Sequence, residues 1–251
     1  MADVRALAPK APAIAPETLA AVALDPAALQ KLLVWLSPAF PVGAYTYSHG
    51  LEWAIEDGTV KTPADLAAWI TAVMRHGAGR SDAILFAHAW RAAAANDTAA
   101  LLDVAELGAA LQPSKERYLE STAQGRAFLL AVTATWPNAR LADLAGLFPQ
   151  PAPIPYPVAV ALAAAAHAVP LAPALATFLN DFVANLLSTG VRAVPIGQTD
   201  GQRIIAALGP LIAEIAALGE TASLDDIGGA ALRADIASMK HETQYTRLFR
   251  S

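Results

Sequence analysis

From Pro26 to Met239 the chain reads as a succession of helix-period apolar stripes, each opened or closed by proline, glycine or a capping residue. No stretch of useful length alternates apolar and polar residues, no Asn-Gly hairpin signal occurs, and no unit repeats at a fixed period. This pattern restricts the chain to an all-α fold, a single helical domain of about ten helices.

The punctuation predicts the individual elements. Pro26 stands at a first helical turn, and Leu29, Leu32, Leu33 and Leu36 form a stripe that ends at Ser37-Pro38. A helix resumes over Leu51–Asp57 and stops at Gly58. Thr62 caps the next one, with Pro63 at its first position and Leu66, Trp69, Ile70 and Val73 at core spacing. Ser81 or Asp82 is expected to cap a helix through Trp90, and Asp97 to begin another that ends near Gly108. A long helix spans Lys115–Thr135 and closes at Trp136-Pro137. Residues 146–157 carry five prolines and read as a loop or linker. Further helices are expected over Val158–His167, Pro173–Val191 and Gly197–Leu218, and a last one capped by Asp225 or Asp226 that reaches about Met239. Residues 1–25 read as a disordered leader, 26–239 as the helical domain, and 240–251 as a polar and aromatic tail that docks on a partner.

Composition narrows the function. Hydrophobic residues make up 55% of the chain against 16% charged, much of the excess being alanine, and the mean hydropathy is +0.40. A closely packed helical domain accounts for this, as does apolar surface kept for a protein partner. The formal charge of −5 argues against nucleic-acid binding. The absence of cysteine removes disulfides, zinc fingers, iron–sulfur clusters and thiol nucleophiles, and is compatible with the cytosol. The best transmembrane candidate, Tyr156–Leu179, is cut by Pro157, Pro170 and Pro173, so a buried helix pair is the expectation there.

No catalytic constellation emerges. The five histidines, His49, His76, His88, His167 and His241, include no pair spaced for one helix face. His241-Glu242 begins like a zinc motif, but its fifth position is Tyr245. Neither phosphate-binding glycine loop is present, so no nucleotide cofactor is expected, and Ser48 and His49 are adjacent, a poor arrangement for proton transfer. Glu52 and Glu56, one turn apart, read as a solvated acidic face.

Four clusters of specific chemistry remain. Ser37–Glu52, SPAFPVGAYTYSHGLE, packs two prolines, two glycines and two tyrosines into a break between helices. KERYLESTAQGR, Lys115–Arg126, carries pair-spaced charges that suggest a partly solvated face. In VRAVPIGQTDGQR, Val191–Arg203, Gly197 and Gly201 lie one turn apart, as do Gln198 and Gln202; this suits tight packing within one molecule or a subunit interface. HETQYTRLFRS, His241–Ser251, holds Tyr245, Leu248 and Phe249, costly to leave in water, and Arg247 and Arg250, suited to bidentate contacts.

In these four segments the sequence resembles the urease accessory protein F family, UreF. The resemblance implies an all-helical protein without catalytic activity of its own, acting in the cytoplasm; the residues themselves offer no metal site or cofactor motif. It implies an adaptor between a UreD-type protein (also called UreH) and the GTPase UreG, dimeric within that complex, coupling nucleotide turnover to nickel delivery into apo-urease. Carried over to this chain, it implies that Tyr45, Tyr47, Ser48 and Glu52 contribute to a surface for the GTPase. The tail residues Tyr245, Arg247, Leu248, Phe249 and Arg250 are implied to meet the UreD-type partner. Gly197, Gln198, Gly201, Gln202 and Arg203 are implied to line the dimer or the helix core. A GTPase-activating arginine would be physically sensible, yet nothing singles out Arg192, Arg203 or Arg250. The competing expectations are an enzyme whose site forms only by long-range convergence, and a membrane-associated protein using Tyr156–Leu179.

Overall fold

A computed structural model describes residues 24–251, so the expected leader lies almost wholly outside the described residues. Eleven α-helices and two short 3₁₀ turns make up the described chain, and no strand occurs among the described residues. The helices are α1 Pro26–Trp35, α2 Leu51–Glu56, α3 Pro63–His76, α4 Ala78–Ala95, α5 Thr98–Ala110 and α6 Lys115–Thr135, followed by α7 Ala139–Ala145, α8 Tyr156–Ala166, α9 Leu171–Ala193, α10 Gln198–Thr221 and α11 Leu232–His241.

The centre is α8. Pro157 to Ala166 are all buried, because a helix apolar on every side must be surrounded by others. It packs between α4, α6 and α9, and α10 closes over α4, α3 and α9. Alanines on α8 let the neighbouring backbones approach closely, which explains why the alanine-rich composition yields one continuous core. Gly125 on α6 makes the tightest of these approaches: any Cβ there would collide with the Ile154 carbonyl of the proline loop. Arg126, one residue on, donates to the carbonyls of Phe148 and Ala152 and so straps that loop down.

Several expected boundaries hold. Thr62 caps α3 with a reciprocal capping box to Asp65, the Asp65 amide donating to Thr62 Oγ1 at 3.2 Å and the Thr62 amide donating back at 2.9 Å. The long helix α6 runs over the expected Lys115–Thr135. Others differ. The helix expected to be capped by Ser81 or Asp82 begins at Ala78, immediately after Gly77, because Gly79 has no side chain to strike Met74 of α3. Asp226 closes a 3₁₀ turn with Ser223 rather than capping the last helix, which starts only at Leu232. The helix α7, capped by Asn138 and followed directly by the proline loop, had no separate signal in the apolar spacing.

The Tyr156–Leu179 stretch is two helices. Ala168 takes a left-handed φ of 55°, and the chain turns before Pro170. The resulting α8 has 11 residues, where a crossing needs about 20. By length and composition alone α9 and α10 would suffice to cross a membrane; both are amphipathic and pack on the core with one face.

The outer helices leave apolar surface free. Leu29 and Leu33, expected as core, are exposed on α1, while Leu32 and Trp35 are buried. Trp35 holds α1 to the body, edge-on to Phe128, Trp136 and His167. On α11, Leu232, Ile236 and Met239 form an exposed stripe one and two turns apart.

Candidate functional site

Three of the four sequence clusters, the tail among them, meet at one place: the N-terminal end of α2, the first turns of α6, and the tail residues after α11. The segment before α2 is shaped by backbone. Gly43 (φ 72°), His49 (φ 60°) and Gly50 (φ 75°) are all left-handed, and Ala44–Thr46 forms a 3₁₀ turn between them. Gly50 is required twice over. Its φ suits glycine, and an added Cβ would stand 2.7 Å from the Ser238 amide of α11. The non-glycine His49 is held by its ring, edge-on to Phe182 at 5.0 Å, and by Nδ1 at 3.4 Å from Glu120 Oε1.

This turn presents Glu52 from the first turn of α2. Its Oε1 accepts from the Leu248 amide at 2.6 Å, and its Oε2 accepts from the Phe249 amide at 3.0 Å and lies 2.9 Å from His241 Nε2. His241 is completely buried, and its Nδ1 stands 2.6 Å from Glu116 Oε2. Glu116 in turn accepts from Arg247 Nη1 at 2.7 Å. Both ring nitrogens of His241 thus face carboxylate oxygens, one on α2 and one on α6.

The last residues extend the clasp. The Arg250 amide donates to the Thr46 carbonyl at 2.7 Å, and the Ser48 amide donates to the Ser251 main-chain oxygen at 2.6 Å, with Ser48 Oγ donating to the same oxygen. Ser251 Oγ donates to Glu120 Oε2 at 2.5 Å. Phe249 is buried beneath the Arg192 guanidinium, 4.4 Å from the ring centroid, and Arg250 lies over the Tyr47 ring.

Beneath the clasp lies a buried ionic cluster. Arg117 pairs with Glu120 at i,i+3. Burial alone would raise Glu120, but the Arg117 charge, the His49 ring and their hydrogen bonds hold it far below the usual carboxylate range. Burial, aided by Arg117, pushes His49 down to about 4. Asp82 on α4 is pushed up to about 7 by burial, with Arg117 opposing. Arg117, His49 and Asp82 line a cavity of about 150 Å³ together with Asp235 and Ser238 of α11. On α9, burial likewise raises Asp181 to about 7. Among the described residues no group of three or more His, Asp or Glu side chains is arranged to hold a metal ion.

The signs of these shifts give a pH prediction. An aspartate whose folded-state pKa is raised costs nothing below its unfolded value near 3.8, and its cost grows until the pH passes about 7. Asp82→Asn should therefore gain stability relative to wild type as the pH rises from 4 to 8, and the gain should level off above 7. Thermal midpoints of both proteins across that range check this; a constant difference would refute the assignment of a charge cost to Asp82.

The structure divides the expected site residues. Tyr47, Ser48, Glu52 and Phe249 are buried within the chain, whereas Tyr45 is 65% exposed, Leu248 75% and Tyr245 fully. The expected solvated face of α6 is overturned at Arg117, Glu120 and Gln124, all buried, and that of α2 at Glu52, while Glu56 is exposed. His241, Glu116 and Glu120 hold the clasp without having been singled out as site residues. The one available signal was the polar stripe Arg117, Glu120, Gln124 in line with Phe128, a helix face that continues into the core. Along α10, Gly201 is buried and a Cβ on it would approach Val191 of α9 at 3.1 Å, whereas Gly197, Gln198, Gln202 and Arg203 are exposed, Arg203 pairing with Asp200. Gln198, Gly201 and Gln202 line an open groove with Arg192 of α9.

Comparison with known proteins adds an independent finding. A sequence model of the family described as UreF matches residues 60–209. The chain is 53% identical over 233 residues to "Urease accessory protein UreF" of Rhodopseudomonas palustris (strain BisB18), covering 91% of this chain and 94% of that one. It is 54% identical over 225 residues to the protein of the same name from strain HaA2 (90% and 94%), and 50% identical over 225 residues to that of Bradyrhizobium sp. (strain ORS 278) (90% and 92%).

Proposed function

The chain belongs to the UreF family of urease accessory proteins, and from that premise we propose that it is a non-catalytic cytoplasmic adaptor in urease maturation. In this reading it bridges a UreD/UreH-type protein and the GTPase UreG, and it couples GTP turnover to the delivery of nickel, its cargo, into apo-urease. It works as a homodimer within that assembly. The observation that carries the reading is the form of the tail. A segment anchored through Phe249 and Ser251 displays Tyr245 and Leu248 to solvent, at an energetic cost that a partner surface would relieve. Next to it, α11 adds the exposed stripe Leu232, Ile236 and Met239.

Three faces follow from this assignment. Tyr245, Leu248 and the α11 stripe take the UreD-type partner. Tyr45 stands on the free side of the loop before α2 and takes the GTPase, while the buried Tyr47, Ser48 and Glu52 serve by shaping that loop. The groove lined by Gln198, Gly201, Gln202 and Arg192 takes the second copy. Arg192 both lines this groove and covers Phe249, so the tail and the dimer face share a side chain.

The test separates surface from scaffold. Leu248→Asp with Tyr245→Ala alters exposed side chains alone, so the thermal midpoint should stay within about 2 °C, the span of surface substitutions. Capture of a UreD-type protein and of urease subunits by the purified variant should fall at least about tenfold, the loss of one anchor contact. Undiminished capture would refute the tail assignment, and failure of the wild-type chain to capture either protein would refute the adaptor reading itself.

A further inference from the structure

The tail is held in the manner of a bound peptide. Between Leu248 and Ser251 its main chain makes five hydrogen bonds to the body: from the amides of Leu248 and Phe249 to Glu52, from the Arg250 amide to the Thr46 carbonyl, and from the Ser48 amide and hydroxyl to the Ser251 oxygen. Main-chain pairing of this kind supplies affinity without reading sequence, and buried side chains supply the selectivity. Only two side chains are enclosed. Phe249 is covered by Arg192, and Ser251 reaches Glu120. Leu248 and Arg250 stay exposed, and Tyr245 and Thr246 before them are exposed as well. The link between α11 and these four residues therefore carries little of the docking.

We propose that the groove formed by residues 46–52, Glu120 and Arg192 is a peptide-recognition site, selective for an aromatic residue two places before a serine, and that it accepts in trans the tail of a second copy of this chain. Glu52 is its sequence-blind anchor, since it reads two successive amides. Glu120 and Arg192 are its selective elements. Arg247 adds a peripheral contact through Glu116. The proposal stands apart from the adaptor assignment, because it concerns the isolated chain and needs neither urease nor the GTPase.

A labelled peptide spanning Thr243–Ser251 tests it by fluorescence anisotropy on full-length chains. In wild type the resident tail competes at an effective concentration in the millimolar range, so binding should be weak. A full-length Phe249→Ala chain vacates the groove and should bind the peptide saturably, at least about tenfold more tightly than wild type. A Ser251→Ala chain, which loses a single hydrogen bond, is the second acceptor should the first fail to fold by circular dichroism. Replacing Phe249 or Ser251 in the peptide should reduce binding about tenfold or more, and replacing Leu248 should change it less than about threefold, the distinction expected between enclosed and exposed side chains. No saturable binding to either folded acceptor overturns the proposal, as does equal sensitivity at Leu248 and Phe249. Peptide binding without partner capture would leave the groove intact and fault the adaptor reading alone.

Discussion

Glu52→Ala is expected to lower the thermal midpoint by roughly 10 °C and to release the tail. One carboxylate accepts from two tail amides and faces His241 Nε2. Removing one member of a buried, hydrogen-bonded charge group costs about 3–5 kcal/mol, and in a chain of this size each kcal/mol moves the midpoint by about 2–4 °C. The loss has a ceiling, because the amides of Leu248 and Phe249 regain water once the tail lifts away. His241, completely buried between Glu52 and Glu116, has no such escape. Hydrogen exchange makes the mechanism visible: the two tail amides should lose protection while α4 and α8 keep theirs. Glu52→Gln, which keeps the shape and one acceptor oxygen, should fall in between. If Glu52→Ala lowers the midpoint but the tail amides stay protected, the clasp is not what holds the tail.

Arg117→Met is the second large effect, and its signature lies in pH. Arg117 is the cation among Glu120, Asp82, Asp235 and His49. Without it Glu120 remains buried with no cation beside it, only a neutral imidazole, Gln124 and the Ser251 hydroxyl. The expected cost at neutral pH is about 3–5 kcal/mol, that of an orphaned buried charge. Glu120 has a depressed pKa, so its stabilising contribution is present above the ordinary carboxylate value near 4.5 and is lost as the pH falls through the depressed one. The gap between wild type and variant should therefore be widest near neutrality and narrow steadily below pH 4.5. Chemical denaturation at pH 7, 5 and 3.5 measures it. A gap that stays constant would mean that Arg117 acts by packing its aliphatic stem rather than by its charge.

The two variants act at one junction. Ser251 donates to the carboxylate that Arg117 holds ionised, so Arg117→Met should also loosen the end of the tail. The effects of the two substitutions should add to less than their sum, as expected for groups that share partners.

Much of the helical architecture was open to a reader of the chain. The apolar period, Thr62 with Pro63, and the Lys115–Thr135 run depend on residues within a few turns of one another, where propensity and capping decide. Asp82 and Asp226 were misread for a related reason. An aspartate near a helix start resembles a cap, but where α4 begins depends on the fit of Gly79 against Met74, residues whose closeness belongs to the turn between two helices.

The candidate site was only half legible. The residues of Ser37–Glu52 and of the tail carry chemistry too specific for plain core, and that much follows from residue type. Whether Glu52 is a solvated acid or a buried clasp depends on His241, 189 positions away, and Glu120 meets Ser251 across 131. Burial and pairing are properties of the space between segments. Helix type, breaks and caps are local energies, written in neighbouring residues. The burial and partners of Glu52, Arg117 and Glu120, and the depressed pKa of Glu120, arise from long-range contacts that exist only once α2, α6 and the tail have been brought together.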